Sequence, residues 1–333
     1  MLRILFLLAS LWVLSACTSR PAASDAGARP IDSTFYAGLN GVEQYVEIHG
    51  ADRRNPVLLF IHGGPAWPAT PMLRMYNQDS LSQFVTLVIW EQRNCGKSRS
   101  DTTGKLSVDQ YVADGHALTQ FLQQTLGQEK IYLAGHSWGS LLGLKLISQY
   151  PEDYAAYLGM GQIVNLRKSE PISRSYLQEQ AALRNDTATL RQLGLLGYTE
   201  AGGYPAGFMG FAGHRMLLAP YRANDYDTAY QAKALAAYDD YRTMDWMSPA
   251  IAALTDFYQE IFDTNFEPQT RYQVPVYFFA GRHDYNTSWP VVEAYYQTIE
   301  APAKQLYFFE QSGHSPQWEE PALFHARVRE ICR

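Results

Sequence analysis

A glycine-flanked serine is the residue of this chain best suited to chemistry. It lies in the segment Gly135–Gly139 (GHSWG), between an apolar run typical of a strand and an apolar run typical of a helix. At such a junction a serine can be held in a strained backbone with its hydroxyl exposed, and the flanking glycines let strand and helix cross closely. This setting predicts that Ser137 is a nucleophile rather than part of an ordinary turn.

A serine hydroxyl is a weak nucleophile and needs a base, which in turn needs an acid to orient it. Both must follow the serine in the chain, acid first, after the ends of later strands. Asp284 follows the predicted strand Val276–Ala280, and His314 follows the predicted strand Gln305–Phe309. These positions predict Asp284 as the acid and His314 as the base. His283 is a weaker candidate base, because its place beside Asp284 turns it away from that carboxylate.

Acyl transfer also requires two N–H donors aimed at the carbonyl oxygen as it becomes negatively charged. Trp138, directly after the serine, can supply one backbone N–H group. The segment His62–Pro65 (HGGP) follows the apolar run Val57–Ile61 and can supply the other from Gly64. Because glycine has no Cβ, the backbone there can approach a substrate closely. The sequence therefore predicts an oxyanion hole formed by Gly64 and Trp138.

The segment Glu91–Ser98 (EQRNCGKS) follows another apolar run, Phe84–Trp90. Its last three residues are typical of the end of a phosphate-binding P-loop, but that motif requires glycine at the position of Glu91. We therefore exclude nucleotide binding here. The expected role of the segment is that of a loop held in place by an ion pair of Arg93.

The amino-acid composition excludes several classes of protein. Of 333 residues, 47% are hydrophobic and 18% charged, which excludes an intrinsically disordered chain. There are 27 Lys and Arg against 33 Asp and Glu, a net charge of −6 without a basic block, so nucleic-acid binding is not expected. No Cys/His cluster has zinc-ligand spacing, and we expect neither a metal nor another cofactor. Cys95 and Cys332 are expected to be unpaired, although an oxidising compartment would permit a disulfide between them.

Short apolar runs typical of buried strands alternate with helical patterns along most of the chain. This alternation predicts parallel βαβ units, and therefore a mostly parallel central sheet flanked by helices. Between residues 165 and 272 the pattern becomes helical, and the strand rhythm then resumes. The economical interpretation is one α/β core, residues 33–164 and 273–333, with a helical cap (165–272) inserted after the strand that follows the nucleophile helix. Two separate domains would leave the last two strands without a partner sheet.

The N-terminal residues 1–16 are typical of a secretory signal peptide. Arg3 precedes an apolar run, Ile4–Leu14, that is too short to span a bilayer. The segment Leu14–Cys17 (LSAC) resembles the lipobox of bacterial lipoproteins, in which the cysteine is acylated and becomes the mature N-terminus; an ordinary signal peptide with a chance cysteine is the alternative. We expect a lipid anchor on Cys17, a polar tether over residues 17–32, and a mature net charge of −7. The protein would face the periplasm, and Thr18 favours the outer membrane by analogy with other lipoproteins.

Together, the internal motifs resemble the α/β-hydrolase superfamily and, within it, the prolyl iminopeptidase-like branch (peptidase family S33). The resemblance implies an α/β-hydrolase fold with a Ser137/His314/Asp284 triad, and removal of an N-terminal residue, often proline, from small peptides. The branch has an HGGP loop, a DQRxxGxS loop, a GxSWG elbow, and GxxD and GH motifs near its end, which here are His62–Pro65, Glu91–Ser98, Gly135–Gly139, Gly281–Asp284 and Gly313-His314.

Three departures from the branch concern the substrate. His136 occupies the position at which the aminopeptidases usually have glycine, and Glu91 replaces the aspartate of the DQR loop. The inserted region also has no segment like ENHYF, whose glutamate helps to hold the free amine of the substrate in that branch. An exopeptidase needs a carboxylate opposite that amine, because an unpaired buried ammonium is costly. The sequence does not select among the candidate carboxylates of the inserted region, which are Glu170, Glu179, Glu200, Asp245, Asp256 and Glu260.

Two hydrolase hypotheses follow, one for a small peptide substrate and one for an ester. The first is an exported aminopeptidase, with an apolar specificity pocket formed by tyrosines, Met244, Trp246 and Met247 of the inserted region. The second is a carboxylesterase or lactonase that uses the same triad and needs no amine anchor. A non-hydrolytic binding protein of the cell envelope would not need a triad and an oxyanion loop. Dehalogenases and epoxide hydrolases with an aspartate nucleophile are excluded by Ser137.

Overall fold

The computed structural model describes residues 27–98, 106–199, 202–245 and 247–333, with the side chain of Asp256 left out. The predicted signal peptide, Cys17 and most of the predicted tether lie outside the described residues. Within these ranges, none of the helices has the length and hydropathy needed to cross a membrane. The same ranges contain no group of three or more His, Cys, Asp or Glu that could hold a metal ion.

The described residues form one eight-stranded sheet. Its strands are β1 (Ile31–Leu39), β2 (Val42–Gly50), β3 (Val57–Ile61), β4 (Thr86–Trp90), β5 (Ile131–His136), β6 (Tyr154–Met160), β7 (Val276–Gly281) and β8 (Lys304–Phe309). Their order across the sheet is β1-β2-β4-β3-β5-β6-β7-β8. All neighbours from β4 onward in this order are parallel, whereas β1–β2 and β2–β4 are antiparallel. The predicted α/β class with a mostly parallel sheet is therefore confirmed.

Strand β1 was not predicted from the sequence, and it begins two residues before the expected start of the core at residue 33. It lies at the sheet edge, pairs with β2 along its full length, and alternates partly buried with exposed residues. The turn between the two strands is Asn40-Gly41, and both residues have positive φ (46° and 86°). Asn-Gly is the strongest short-range signal of a two-residue hairpin, so this dipeptide could have revealed the edge strand.

Helices cover both faces of the sheet. They are α1 (Thr70–Leu73), α2 (Asp79–Leu81), α3 (Val108–Leu126), α4 (Trp138–Gln149), α5 (Leu166–Leu183), α6 (Thr187–Leu196), α7 (Phe208–Leu218), α8 (Tyr230–Ala237), α9 (Asp239–Arg242), α10 (Met247–Asp263), α11 (Trp289–Thr298), α12 (Pro316–Glu319) and α13 (Pro321–Ile331). A π-helical turn (Arg74–Gln78) joins α1 to α2, and 3₁₀ turns occupy Pro151–Asp153 and Ala219–Tyr221.

The helices α5 to α10 lie between β6 and β7, in the region predicted to be a helical insertion. Asn165 caps the first of them, because its side chain accepts a hydrogen bond from the N–H of Lys168. An asparagine at this position satisfies an N–H group that has no acceptor within the helix. The chain therefore turns from the sheet into the inserted helices at Asn165, the residue at which the strand rhythm of the sequence ends.

The core forms on both faces of the sheet because its central strands are mostly apolar, and β3 is apolar at every position. In β3, Val57, Leu59 and Ile61 join one buried cluster, whereas Leu58 and Phe60 join another. Successive side chains of a strand point to opposite faces, so a continuous apolar run requires cover on both sides.

The two cysteines that lie among the described residues, Cys95 and Cys332, are both free and buried. The expectation that they are unpaired is therefore confirmed. Burial raises the pKa of both thiols, so neither is poised to act as a thiolate.

A buried ion pair fastens the loop after β4 to helix α3. The guanidinium of Arg93 donates to both carboxylate oxygens of Asp114, at 2.6 and 2.8 Å, and both side chains are buried. Asp114 also accepts hydrogen bonds from the side-chain amides of Asn40, in the β1–β2 turn, and Gln44, in β2. The predicted ion pair of Arg93 is therefore confirmed, and it joins the edge hairpin, the loop after β4 and α3.

We predict that Asp114→Ala lowers the free energy of unfolding by about 3–5 kcal/mol, because it leaves the buried charge of Arg93 without this carboxylate. Urea denaturation of the purified protein measures this change. Asp109→Ala is the matched control, since this carboxylate lies on the same helix with its side chain 81% exposed; it should cost no more than about 1 kcal/mol. Equal losses for the two variants would contradict the prediction.

Candidate active site

Ser137 occupies the sharp turn between β5 and α4, with φ 53° and ψ −119°. The two glycines of its pentapeptide are required by close packing. A Cβ on Gly139 would lie 2.2 Å from the carbonyl oxygen of Ile61, and one on Gly135 would lie 2.5 Å from the carbonyl oxygen of Gly139. The strained serine and its glycines therefore have the geometry of a nucleophile elbow, as the sequence predicted.

His314 and Asp284 are joined by a buried hydrogen bond. Asp284 comes three residues after β7 and His314 five residues after β8, and Nδ1 of the histidine lies 3.0 Å from Oδ2 of the aspartate. Because an ionised carboxylate only accepts, Nδ1 carries the proton and Nε2 presents a lone pair. Within the described residues Nε2 of His314 has no hydrogen-bond partner. His314 lines the same cavity as Ser137.

Asp284 is kept ionised by the groups around it. Burial acts to raise the pKa of this carboxyl, but His314 and the hydrogen bonds from Thr287 outweigh burial and lower it. Its oxygens accept from the Thr287 hydroxyl at 2.8 Å and from the backbone N–H groups of Asn286 and Thr287 at 2.9 and 3.0 Å. The alternative base, His283, instead packs its ring 4.7 Å from that of Tyr226. The structure thus pairs Asp284 with His314.

The backbone around His314 is held from two sides. Its N–H donates to the carbonyl oxygen of Asn224 at 2.6 Å. Gly161 lies so close to the ring that a Cβ there would be 2.7 Å from Cε1 of the imidazole. The position of His314 therefore depends on both the loop after β6, which contacts the ring, and the segment before α8, which holds the backbone.

The residues predicted for the oxyanion hole meet beside the serine. Gly64 has φ 118°, and a Cβ on its neighbour Gly63 would lie 3.1 Å from Cβ of Ser137. Trp138 is the first residue of α4, where backbone N–H groups have no acceptor within the helix. Gly64, Ser137 and Trp138 also line a common cavity of about 110 Å³. The structure thus places Gly64 and Trp138 beside the serine, and their role as an oxyanion hole stays a prediction.

The side chain of Gln92 links the two segments predicted to form the oxyanion hole. Its side-chain amide donates to the carbonyl oxygen of His62 at 3.0 Å and accepts from the indole N–H of Trp138 at 2.9 Å. Its backbone N–H donates to Nε2 of His62 at 3.1 Å. Burial lowers the pKa of His62 to about 4, so this imidazole is a neutral acceptor at physiological pH. The loop after β4, for which nucleotide binding was excluded, thus positions the segment that carries Gly64.

His136, the residue that departs from the aminopeptidase pattern, is buried and lines the main cavity. Burial and the neighbouring His314 together lower its pKa to about 3, so the imidazole is neutral. Its Nε2 lies 3.1 Å from the carbonyl oxygen of His314 and 3.3 Å from the hydroxyl of Ser315. Since a carbonyl oxygen only accepts, Nε2 of His136 carries the proton and braces the loop of His314.

The main cavity above Ser137 measures about 560 Å³ and has mostly apolar walls from α7 and α10. Of the three residues expected to form an apolar pocket, Met247 lines the cavity, Met244 does not, and Trp246 lies outside the described residues. Methionines stand at the mouth with large exposed fractions, 65% for Met209, 76% for Met216 and 46% for Met247. The other apolar lining residues of these two helices are Phe208, Phe211, Ala212, Ala250, Ile251 and Leu254, and Trp67, Ala69 and Trp318 add apolar surface from outside them.

None of the described carboxylates nominated from the sequence lines either cavity. Glu170 is buried, but it pairs with Arg215 and accepts from Tyr204 at 2.7 Å. Burial acts to raise its pKa, and Arg215 and His214 outweigh burial and lower it to about 2. The sequence left the choice among these candidates open, and none of those that the structure describes faces the cavity. Of the others, Glu179, Asp245 and Glu260 are exposed, Glu200 lies outside the described residues, and the side chain of Asp256 is not described.

The carboxylate that does line the main cavity is Asp225, which was not predicted from the sequence. It lies between the 3₁₀ turn Ala219–Tyr221 and α8, in the segment Asn224–Asp227 (NDYD). A polar cluster of this kind signals a loop, but nothing in it indicates which side chain faces inward. The packing of this segment against the loop of His314 decides that Asp225 borders the cavity.

Comparisons with known proteins identify the family and the fold. A family model described as alpha/beta hydrolase fold matches residues 56–321. The probable aminopeptidase YbaC of Bacillus subtilis (strain 168) is 30% identical over 306 residues, 86% of this chain and 92% of YbaC. A proline iminopeptidase of Heyndrickxia coagulans is 25% identical over 287 residues, 82% of this chain and 88% of that protein.

Solved structures show the same fold. The proline iminopeptidase-related protein of Thermus thermophilus superimposes with a TM-score of 0.62 at 20% identity, covering 90% of this chain and 97% of that one. The predicted resemblance is thus confirmed by the family match and by relatives over most of the chain. The chain belongs to the α/β-hydrolase family, and it is a hydrolase similar to enzymes named as aminopeptidases and proline iminopeptidases.

Proposed function

We propose that this chain is an exported serine aminopeptidase that releases an N-terminal residue from small peptides through an acyl-enzyme. The observation that carries the proposal is the His314–Asp284 hydrogen bond, which leaves Nε2 of the imidazole without a partner among the described residues. His314 and Ser137 line the same cavity. The relatives named as aminopeptidases support the peptide substrate.

In the first half of the proposed reaction, Oγ of Ser137 attacks the scissile carbonyl and its proton passes to Nε2 of His314. Asp284 stabilises the imidazolium, and the N–H groups of Gly64 and Trp138 stabilise the oxyanion, each by about 3 kcal/mol if they match known oxyanion donors. The C–N bond then breaks, and the leaving amine takes the proton from Nε2.

In the second half, a water molecule gives a proton to Nε2 of His314 and attacks the ester of the acyl-enzyme. The ester bond breaks, Oγ of Ser137 recovers the proton from His314, and the free amino acid leaves. The same imidazole therefore acts as base and acid in both halves, which requires that its orientation be fixed throughout. No step of this reaction needs a cofactor.

A carboxylesterase or lactonase is the second candidate, because it would use Ser137, Asp284 and His314 in the same way. The observation that favours it is the apolar wall of the cavity, with methionines at the mouth, which suits an uncharged acyl or alkoxy group.

For export, we propose that Cys17 is acylated and becomes the mature N-terminus when residues 1–16 are removed. The protein would then be anchored in the bacterial cell envelope, facing the periplasm, with the outer membrane favoured by Thr18.

We predict that the purified mature protein hydrolyses proline or alanine arylamides faster than short acyl esters. Ser137→Ala should lower kcat/KM on the order of a millionfold, because the nucleophile is lost, and should abolish labelling by a fluorophosphonate. Initial rates with both substrate classes measure this. Ester hydrolysis without detectable arylamide hydrolysis would favour the second candidate, and full activity of the Ser137→Ala variant would exclude both.

A second prediction concerns the position of the base. Gly161→Ala should lower kcat by about 100-fold or more, because the added methyl group displaces the imidazole of His314 and small misplacements of reacting groups are costly. Gly127→Ala is the matched control, since Gly127 also has a positive φ (67°) but no atom within 4 Å of an added Cβ. Equal kcat values for the two variants at equal stability would refute the proposed role of His314.

The anchor is tested by expression of the full-length chain in a bacterium with a lipoprotein pathway. We predict that the protein partitions into the detergent phase of a Triton X-114 extract, and that Cys17→Ser moves it to the aqueous phase because the acyl chains are lost. Cys332→Ser, which changes a buried cysteine away from the N-terminus, should leave the partition unchanged. A wild-type protein in the aqueous phase would contradict the lipid anchor.

A further inference from the structure

Asp225 places a carboxylate in the wall of the main cavity without a cationic partner among the described residues. Its Oδ2 accepts from the side-chain amide of Asn224 at 2.6 Å, and its Oδ1 accepts from the hydroxyl of Tyr230 at 3.0 Å. Both donors are uncharged, and no lysine or arginine in the described part of the chain forms an ion pair with it. A carboxylate in a partly buried wall is stabilised when a positive charge comes into contact with it.

A second carboxylate, Glu319, increases this local excess of negative charge. Its oxygens accept the backbone N–H groups of Asp227 and Gly313, each at 2.8 Å, so Glu319 joins the segment of Asp225 to the loop of His314. Burial and the nearby Asp225 raise the pKa of Glu319 to about 7, and burial likewise raises the pKa of Asp225. A cation that entered the cavity beside Asp225 would offset this repulsion.

A chain of hydrogen bonds fixes Asp225 close to the reacting groups. The hydroxyl of Tyr230 donates to the carboxylate and lies 3.0 Å from Oγ of Ser315, which lies 3.3 Å from Nε2 of His136. Tyr230, Ser315 and His136 line the same cavity as Ser137 and His314. The carboxylate is therefore held at the end of the cavity where the nucleophile and base lie, rather than free at the mouth.

The arginine of the cavity wall does not compete for this carboxylate. Arg215 pairs with the buried Glu170 and donates to the side-chain and backbone oxygens of Asn286, at 2.9 and 2.6 Å. An incoming cation is therefore not drawn to the side of Arg215, where a positive charge is already present. Among the described residues that line the main cavity, Asp225 is the acidic side chain that such a cation can contact.

We propose that Asp225 binds the protonated amine of the substrate inside the cavity. The identification of this amine as the N-terminal ammonium of a peptide rests on the proposed aminopeptidase function. The proposal that Asp225 recognises a cationic acyl group does not depend on that function. Asp225 thus takes the role first sought among Glu170, Glu179, Glu200, Asp245, Asp256 and Glu260.

The test compares two esters of nearly equal shape, alanine ethyl ester and ethyl isobutyrate. In ethyl isobutyrate, a methyl group replaces the ammonium group of alanine ethyl ester. We expect the wild-type preference for the cationic ester, measured as the ratio of kcat/KM values, to fall by about tenfold or more in Asp225→Asn, because an unpaired ammonium then remains in the cavity. Asp225→Glu keeps the charge and should retain part of the preference. Asp227→Asn, two residues away and exposed, is the matched control and should keep the wild-type ratio.

An unchanged ratio in Asp225→Asn, or an equal loss on both esters, would overturn the proposal, because a merely structural role would affect both substrates alike. Esters are used so that a failure to cleave arylamides, which would refute the aminopeptidase, leaves this result interpretable. If the wild-type protein hydrolyses neither ester, the readout is protection of Ser137 from a fluorophosphonate. Alaninamide should then protect better than isobutyramide, and equal protection would overturn the proposal.

Discussion

The hydrogen bond between His314 and Asp284 is the interaction on which the site depends. It orients the imidazole of a residue that lines the same cavity as Ser137, and it is buried, so water does not compete for either partner. Thr287 and the N–H group of Asn286 occupy the remaining acceptor positions of the carboxylate. Because the carboxylate is ionised and fully engaged, the tautomer of His314 is fixed before any ligand enters.

The sheet creates this arrangement by bringing the ends of β5, β7 and β8 to one edge, although these strands are far apart in the sequence. The inserted helices then close the site from above. Asn224 accepts from the backbone N–H of His314, so the region between β6 and β7 positions the base as well as covering it. Changes in this region are therefore expected to alter the reacting groups as well as the cavity.

Much of the fold and of the site follows from the sequence because its signals are local. An apolar strand, a glycine-flanked serine and an acid or histidine just after a strand are each recognisable within a few residues, and parallel pairing brings the strand ends together. Strand β1 was missed because its alternating polar residues suit an exposed edge, and only the Asn40-Gly41 turn reveals it.

The existence of an ion pair at Arg93 was predictable from the sequence, whereas its partner Asp114 was not, because the packing of α3 against the edge hairpin determines which carboxylate meets Arg93. Asp225 was missed for a different reason: the cavity wall is completed by a non-helical segment without a periodic signal, and its direction is set by long-range contacts with Glu319 and His314.

The methionines at the mouth of the cavity have a mechanical consequence. Met209, Met216 and Met247 are unbranched, each with three rotatable side-chain bonds, and thioethers repack around differently shaped partners at little energetic cost. The entrance can thus change its outline by rotamer changes while the strained serine and its braced imidazole remain still. Such plasticity at the rim would let one rigid reaction centre receive leaving groups of several sizes.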